Sequence, residues 1–485
     1  MRQGAGLLLL LLMRRVLALV VVRPAVRRGL ASHRWRGPRR HFVPRVFEAG
    51  DVDGDDVVQA SSPRKFVSEP FSYHQELTLQ IEDVTNLGVG VGRVQLAAPR
   101  SGSWVVMVPL VLPGETVRVR VFRNHATYSE ADVVEIVTKS PDRVKPECAF
   151  FEICGGCQYQ MMSVDAQRRW KRAQVESLLL RLGGVAEPVV DPVVGTEHTY
   201  GYRSKITPHY NVPRKDVKDL KIGFQQRGTR IIVDVDRCAI ATPAINVEYS
   251  KARGEIQTQM AKKLPKKGAT LLFREGEGGH VETDFRKNMF ESVNGVRFEY
   301  KAGEFFQNNA HVLPLLVDHV LSLCTQSPSS SSASKPLRYL IDAYCGSGLF
   351  SLCAAKNFEA VYGVEVSDLA VKAAQANAKA NGISNAQFLC GSSEAIFAQV
   401  ANLVPGDEAA MILDPPRKGC DREFLQQLFA FGPKIVIYVS CDPATQARDA
   451  KIMTQEGGYR ITRVTPFDLF PQTRHIENVM AFVRD

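Results

Sequence analysis

Three short segments carry residues able to do covalent chemistry. In Tyr438-Val439-Ser440-Cys441-Asp442-Pro443 a cysteine stands just past an apolar run. A cysteine there is either an inert small side chain or a nucleophile, and the proline-containing turn at the edge of a cleft favours the nucleophile. In Leu413-Asp414-Pro415-Pro416-Arg417-Lys418-Gly419, two prolines hold an extended turn that projects Asp414 and its backbone carbonyls into a site. The third segment, Phe467-Asp468-Leu469-Phe470-Pro471-Gln472-Thr473-Arg474-His475-Ile476-Glu477, sets Glu477 just before the apolar run Val479–Val483, where a carboxylate can serve as a general base. A nucleophile and a proton acceptor at the ends of apolar runs suit a group-transfer reaction.

A fourth segment suits a cofactor. Ile341-Asp342-Ala343-Tyr344 runs into Cys345-Gly346-Ser347-Gly348-Leu349, where Gly346 and Gly348 let backbone approach a ligand closely. The next apolar run, Ala360–Val364, ends in Glu365, whose carboxylate can accept both hydroxyls of a ribose. A dinucleotide-binding turn calls for Gly or Ala at position 351, beside a pyrophosphate, and this chain has Ser351. S-adenosylmethionine, which has no pyrophosphate, is therefore preferred over NAD.

These segments need a scaffold that brings their ends together. From Lys301 to residue 485 apolar strands (Leu340–Ala343, Ala360–Val366, Ala410–Leu413, Lys434–Val439) alternate with helical spans (Leu369–Asn381, Asp421–Phe431). That rhythm predicts a doubly wound, Rossmann-like parallel α/β sheet with its site at the carboxyl ends of the strands. Residues 74–138 read instead as short β-branched strands (Leu77–Val84, Trp104–Val111, Thr116–Phe122, Asp132–Val137), punctuated by Gly88, Gly90, Gly92 and Pro113-Gly114 as turns. They predict a small β-barrel. Residues 139–300 form a mixed α+β central region with strands at Ile222–Gln225, Arg230–Val235 and Ala269–Arg274. Its basic helix, Ala166–Leu182, contains Arg168-Arg169-Trp170-Lys171-Arg172, either a solvated face or a nucleic-acid contact. Ser327–Lys335 reads as a flexible insertion.

Charge locates the remaining pieces. The 485 residues carry a net charge of +10, with 45% hydrophobic and 23% charged residues, which excludes a wholly disordered chain. Residues 1–47 hold eleven arginines, no lysine and no acid, so the rest of the chain is near neutral at −1. This leader predicts a mitochondrial targeting segment, and residues 48–73 a linker. Its longest uncharged stretch, Gln3–Met13, is too short to span a bilayer, and no membrane insertion is expected. Ten cysteines without a disulfide-like spacing fit a reducing compartment such as the mitochondrial matrix.

Taken in order, Cys-Gly-Ser-Gly-Leu-Phe from Cys345, Leu-Asp-Pro-Pro-Arg-Lys-Gly from Leu413, Ser-Cys-Asp-Pro from Ser440 and Phe-Pro-Gln-Thr-Arg-His-Ile-Glu from Phe470 resemble the RNA uracil-5 methyltransferase family, with its animal mitochondrial branch as the nearest likeness. Phe305-Phe306-Gln307-Asn308-Asn309 is similar to another of its signatures. Asn86-Leu87-Gly88-Val89-Gly90 and Leu112-Pro113-Gly114-Glu115 resemble its TRAM domain, an OB-like RNA-binding barrel. The resemblance spans roughly residues 74–485. It implies S-adenosylmethionine-dependent methylation of uridine C5 in RNA, tRNA or rRNA, with Cys441 adding to C6 and Glu477 removing the C5 proton. It also implies that Gln307, Tyr344, Glu365 and Asp414 line the cofactor and uracil pocket, with Ser392 at another cofactor-side position. Some members have Asn where this chain has Leu349, so any contact there is backbone or apolar. Cys148, Cys154, Cys157 and Cys238 are similar to the ligands of a [4Fe–4S] cluster in some members, although zinc or no metal fits four thiols equally. A cytosine-5 methyltransferase, usually with a Pro-Cys nucleophile, and a non-enzymatic RNA assembly factor are the alternatives.

Overall fold

The computed structural model describes residues 66–97, 101–212, 220–262, 267–325, 337–391 and 396–484. The leader 1–47, most of the linker, Ser327–Lys335 and Ser392 lie outside the described residues. Among the described residues no helix is long and apolar enough to cross a membrane.

Strands β1 (Glu76–Val84), β2 (Val89–Leu96), β3 (Gly102–Pro109), β4 (Thr116–Asn124) and β5 (Tyr128–Thr138) close into a barrel in the order β1-β2-β3-β5-β4. Alternate side chains point inward, and Val106, Val108, Val117, Val119 and Val121 are fully buried. Gly90 and Gly92, expected in turns, lie inside β2. A Cβ on Gly90 would stand 2.3 Å from Val111 Cγ2, and one on Gly92 2.8 Å from Leu79 Cδ1. They are glycines because the barrel is too narrow there for side chains. Gly88 is the turn residue (φ 75°), and its bare Cα faces Gln158 and Tyr159 of the central region. The Leu112–Glu115 turn is anchored by buried Glu115, which accepts from the Leu112 and Ser140 N–H groups and from Arg143.

Helix α1 (Val164–Leu178), N-capped by Ser163, continues as a wide turn to Gly183. Its basic run is not a free cationic face. Arg168 pairs with Asp468, Arg169 with Asp142, Lys171 with Asp468 and Arg172 with Glu176. The run is drawn into ion pairs, with Arg168 and Lys171 sharing Asp468 and only Lys171 fully buried.

The C-terminal sheet contains β6 (Tyr339–Ala343), β7 (Ala360–Glu365), β8 (Ala386–Cys390), β9 (Ala409–Leu413), β10 (Ile435–Ser440), β11 (Tyr459–Phe467) and β12 (Glu477–Arg484), in the order β8-β7-β6-β9-β10-β12-β11. The first five are parallel. β12 inserts antiparallel between β10 and β11, so the sheet is not wholly parallel. Every residue of β9 and β10 is buried, as befits strands covered on both faces. Strand order reverses at β6, which has β7 on one side and β9 on the other. Ligands of open α/β sheets bind in the crevice that this reversal opens beyond the strand ends. The hairpin Asn288–Val293/Val296–Lys301 joins the same core through Phe298 and Tyr300.

Candidate active site

The loop after β6 lies at the switch point. Tyr344, Gly346 and Gly348 all have left-handed backbone (φ 67°, 54° and 89°), which costs Tyr344 roughly 1–2 kcal/mol. The turn aims the Gly346 N–H at Glu365 Oε2 (3.2 Å), while Glu365 Oε1 accepts from the Ser367 N–H (2.9 Å). A Cβ on Gly346 would meet nothing within 4 Å, so the space above the loop is open. Beneath it Asp342 is fully buried. Ser351 donates both its N–H (2.9 Å) and its hydroxyl (2.6 Å) to Asp342 Oδ2, and Oδ1 has no partner among the described residues. Burial pushes the Asp342 carboxyl up to about 7. Ser351, which argued against a pyrophosphate ligand, thus clamps the acid under the loop. An open glycine turn, a carboxylate at the next strand end and an unsatisfied buried acceptor fit a cationic, ribose-bearing ligand such as S-adenosylmethionine. Leu349 is partly buried against the core.

Asp414 follows β9, Cys441 follows β10 and Glu477 opens β12. The β10–β12 register pairs Ser440 with Asn478, so Cys441 and Glu477 stand at neighbouring strand ends. Burial, then the nearby Glu477 and Asp414 carboxyls, push the Cys441 thiol up to about 12. Burial and Asp414 hold the Glu477 carboxyl well above the usual range, and burial with Asp342 raises Asp414. Three acids crowded in a desolvated space resist ionising together. Arg417, exposed at the rim, opposes this: its positive charge favours the anionic forms of both Cys441 and Glu477. Sequence reasoning gave Arg417 no role, and nothing in its spacing separates it from Lys418 beside it.

The segment leading to Glu477 is held from the central region. Lys171 Nζ, fully buried, donates to Asp468 Oδ1 at 2.6 Å. The Gln158 and Tyr159 N–H groups both donate to the carbonyl of Gln472, whose φ is 68°. Gln167 and Gln472 exchange a reciprocal pair of hydrogen bonds (2.9 and 3.0 Å). The Arg474 N–H donates to Gln158 Oε1, and the Tyr202 hydroxyl to the Pro471 carbonyl. Asn309 Nδ2 donates to the Leu469 carbonyl. Gln307, two residues earlier, is buried, but no hydrogen bond joins it to the other candidate residues among those described.

Cys148, Cys154, Cys157 and Cys238 are all free thiols. They converge: the Cys157 thiol, pushed up to about 12 chiefly by burial, also feels Cys238, Cys154 and Cys148. Four thiols are a suitable donor set for iron or zinc, yet among the described residues no three such side chains are arranged to hold an ion. The donor types therefore fit a metal centre, while their positions are not those of a formed coordination sphere.

The fold and the switch-point site are those of an S-adenosylmethionine-dependent methyltransferase carrying an appended β-barrel. A family model described as tRNA (Uracil-5-)-methyltransferase matches residues 279–484, and a TRAM domain model matches 74–134. The tRNA (uracil(54)-C(5))-methyltransferase of Schizosaccharomyces pombe is 39% identical over 428 residues, covering 86% of this chain and 79% of that protein. The Saccharomyces cerevisiae protein of the same name is 33% identical over 502 residues, covering 89% and 77%. The crystal structure of Pyrococcus abyssi tRNA (uracil-54, C5)-methyltransferase with S-adenosyl-L-homocysteine shares the fold at a TM-score of 0.62 and 23% identity, over 84% of this chain and 100% of that one. The chain belongs to the tRNA (uracil-5-)-methyltransferase family.

Proposed function

We propose that this enzyme methylates C5 of a uridine in mitochondrial tRNA, in the T-loop, through an adduct between Cys441 and C6 of the base. The observation that carries the reading is the juxtaposition of Cys441 and Glu477 at adjacent strand ends beside the switch-point loop. The names of the two yeast relatives support tRNA over rRNA and uridine 54 over other positions.

Uracil C5 is a weak nucleophile. Attack of the Cys441 thiolate on C6 forms an S–C bond and moves the C5=C6 electron pair into an enolate, which makes C5 nucleophilic. S-adenosylmethionine, when bound, supplies an electrophilic methyl group to C5. The Glu477 carboxylate then takes the C5 proton; the C–H electron pair restores C5=C6 and Cys441 leaves as thiolate. Arg417 assists both anions. Glu365 accepts the ribose hydroxyls of the methyl donor over the turn of Tyr344, Gly346 and Gly348. Asp414 and Gln307 line the shared pocket of the methyl donor and the base. The base must leave its loop to reach a pocket this deep.

The arginine-rich, acid-free leader supports import into the mitochondrial matrix. The four free thiols Cys148, Cys154, Cys157 and Cys238, a donor set of the right type, support a structural [4Fe–4S] cluster, which iron and acid-labile sulfide analysis of anaerobically purified protein tests; stoichiometric zinc in its place would overturn it. The central experiment incubates the protein with S-adenosylmethionine and unmodified mitochondrial tRNA, followed by nucleoside mass spectrometry. 5-Methyluridine is expected from the wild type and none from Cys441→Ala. An active Cys441→Ala enzyme would sink the mechanism, and a wild type inactive on tRNA but active on rRNA would sink the target.

A further inference from the structure

Beside the reaction pocket runs an open groove of about 900 Å³ between the Gly155-Gly156 loop and the hairpin around Arg227–Arg230, and Arg474 completes its wall. Its lining includes three arginines and a histidine but no carboxylate. That composition contrasts with α1, where each cation of the basic run has an acid. Arg227 is structural: its guanidinium donates to the Phe151 and Cys157 carbonyls and lies 5.7 Å from the centre of the Phe151 ring. Arg230 and Arg474 are different. Arg230 is exposed, and neither guanidinium has a hydrogen-bond acceptor or ion-pair partner among the described residues.

Arg474 is only half exposed and stands three residues before Glu477, so it joins the groove to the chemistry. Burial and the repulsion of Arg417 bear against its charge and outweigh the attraction of Tyr159 and Asp442. His475 next to it is driven down to about 3 by burial, Arg417, Arg474, Lys171 and Arg203, and stays neutral. A half-buried cation facing another cation without an acceptor is an unfavourable arrangement that an anion would relieve. The groove's volume falls in the ~300–1,000 Å³ range of small-ligand sites. Phe224 adds an apolar surface to the lining, and Gln225 and Gln226 add amides.

The geometry points to a binding site for the sugar–phosphate backbone of the RNA nucleotides next to the target uridine, with Arg474 and Arg230 as phosphate ligands. This rests on the RNA-methylating reading above. Phosphate contacts fix the register of a strand, while bases are read elsewhere. Arg474 holds the phosphate nearest the flipped base, Arg230 one further along, and Phe224 offers a face on which an unstacked base can lie.

The test is equilibrium binding of an unmodified tRNA transcript to the full-length protein at several salt concentrations, with S-adenosylmethionine binding as the check that each variant is folded. Arg230→Ala and Arg474→Ala should each weaken RNA binding by about fivefold and flatten the plot of log affinity against log salt by about 0.7, one counterion's worth for a single strand. Arg172→Ala, which removes a cation already paired with Glu176, should leave the slope unchanged. Wild-type affinity and slope in both Arg230→Ala and Arg474→Ala would overturn the groove, as would an equal loss in Arg172→Ala. These outcomes are separable from failure of the methylation reading. A wild type that binds tRNA with the expected Arg230 dependence but makes no 5-methyluridine sinks the reaction and leaves the groove standing.

Discussion

The reaction pocket and the arginine groove adjoin, yet they treat charge in opposite ways. Cys441, Glu477 and Asp414 are desolvated together and all are driven toward their neutral forms, with one exposed arginine as the counterweight. The groove gathers arginines with no acid at all. Arg474 and Glu477, three residues apart, face one region each. The difference teaches a division of labour: affinity for a polyanion can be spread over solvated cations, whereas covalent chemistry needs few charges, well screened from water, that appear only when the substrate calls for them.

The largest effect should come from the pocket's proton acceptor. Glu477→Gln keeps the shape but cannot take a proton, so turnover should fall by about 10²–10⁴-fold. Because the earlier steps survive, a protein–RNA adduct should accumulate on denaturing gels. Loss of activity without an adduct would mean that Glu477 serves an earlier step.

Next is the ion pair beneath both regions. Lys171→Met leaves the buried Asp468 with only its longer contact to Arg168 (3.5 Å) and should cost about 3–5 kcal/mol in chemical denaturation. The double variant Lys171→Met/Asp468→Leu should recover much of that loss. Equal instability of the single and double variants would show that shape, not charge, holds the segment.

Arg417 sharpens the contrast itself. The Cys441 thiol, raised to about 12, is protonated at neutral pH, and its thiolate fraction grows about tenfold per pH unit as pH rises. Glu477, also raised, ionises in the same direction. The rate at subsaturating RNA should therefore climb with pH until the fold fails. Arg417→Ala should lower it roughly 10–100-fold at neutral pH and move the climb to higher pH, because removing the cation raises both groups further. A profile superimposable on wild type would remove Arg417 from the account. The smallest effect is Ser351→Ala, which strips the hydroxyl from Asp342 and should cost about 1 kcal/mol of stability, with weaker S-adenosylmethionine binding by calorimetry.

Sequence carried the C-terminal half well, because strands buried on both faces are continuous apolar runs and α/β topology forces the segments after them onto one edge. That is why Asp414, Cys441, Glu365 and Glu477 group together on sequence alone. What stayed hidden depends on distant partners. Arg168–Arg172 looks like a basic patch until Asp468, Asp142 and Glu176 meet it. Gly90 and Gly92 look like turns until the barrel closes on them. β11 mixes exposed Arg460 and Arg463 with its buried end, so no apolar run announces it. Arg474 carries no sequence signal of its own, since only the absence of a hydrogen-bonding or ion-pair partner for its guanidinium among the described residues distinguishes it.

The Lys171–Asp468 bond also sets a schedule. Its partners lie 297 residues apart, so the lysine can be buried only once a segment from the far end of the chain has folded back onto α1. Until then the helix keeps its ammonium in water. The same late segment delivers Glu477. Completion of the reaction centre and pairing of the buried lysine thus fall in one event, and a chain ending before Asp468 has neither.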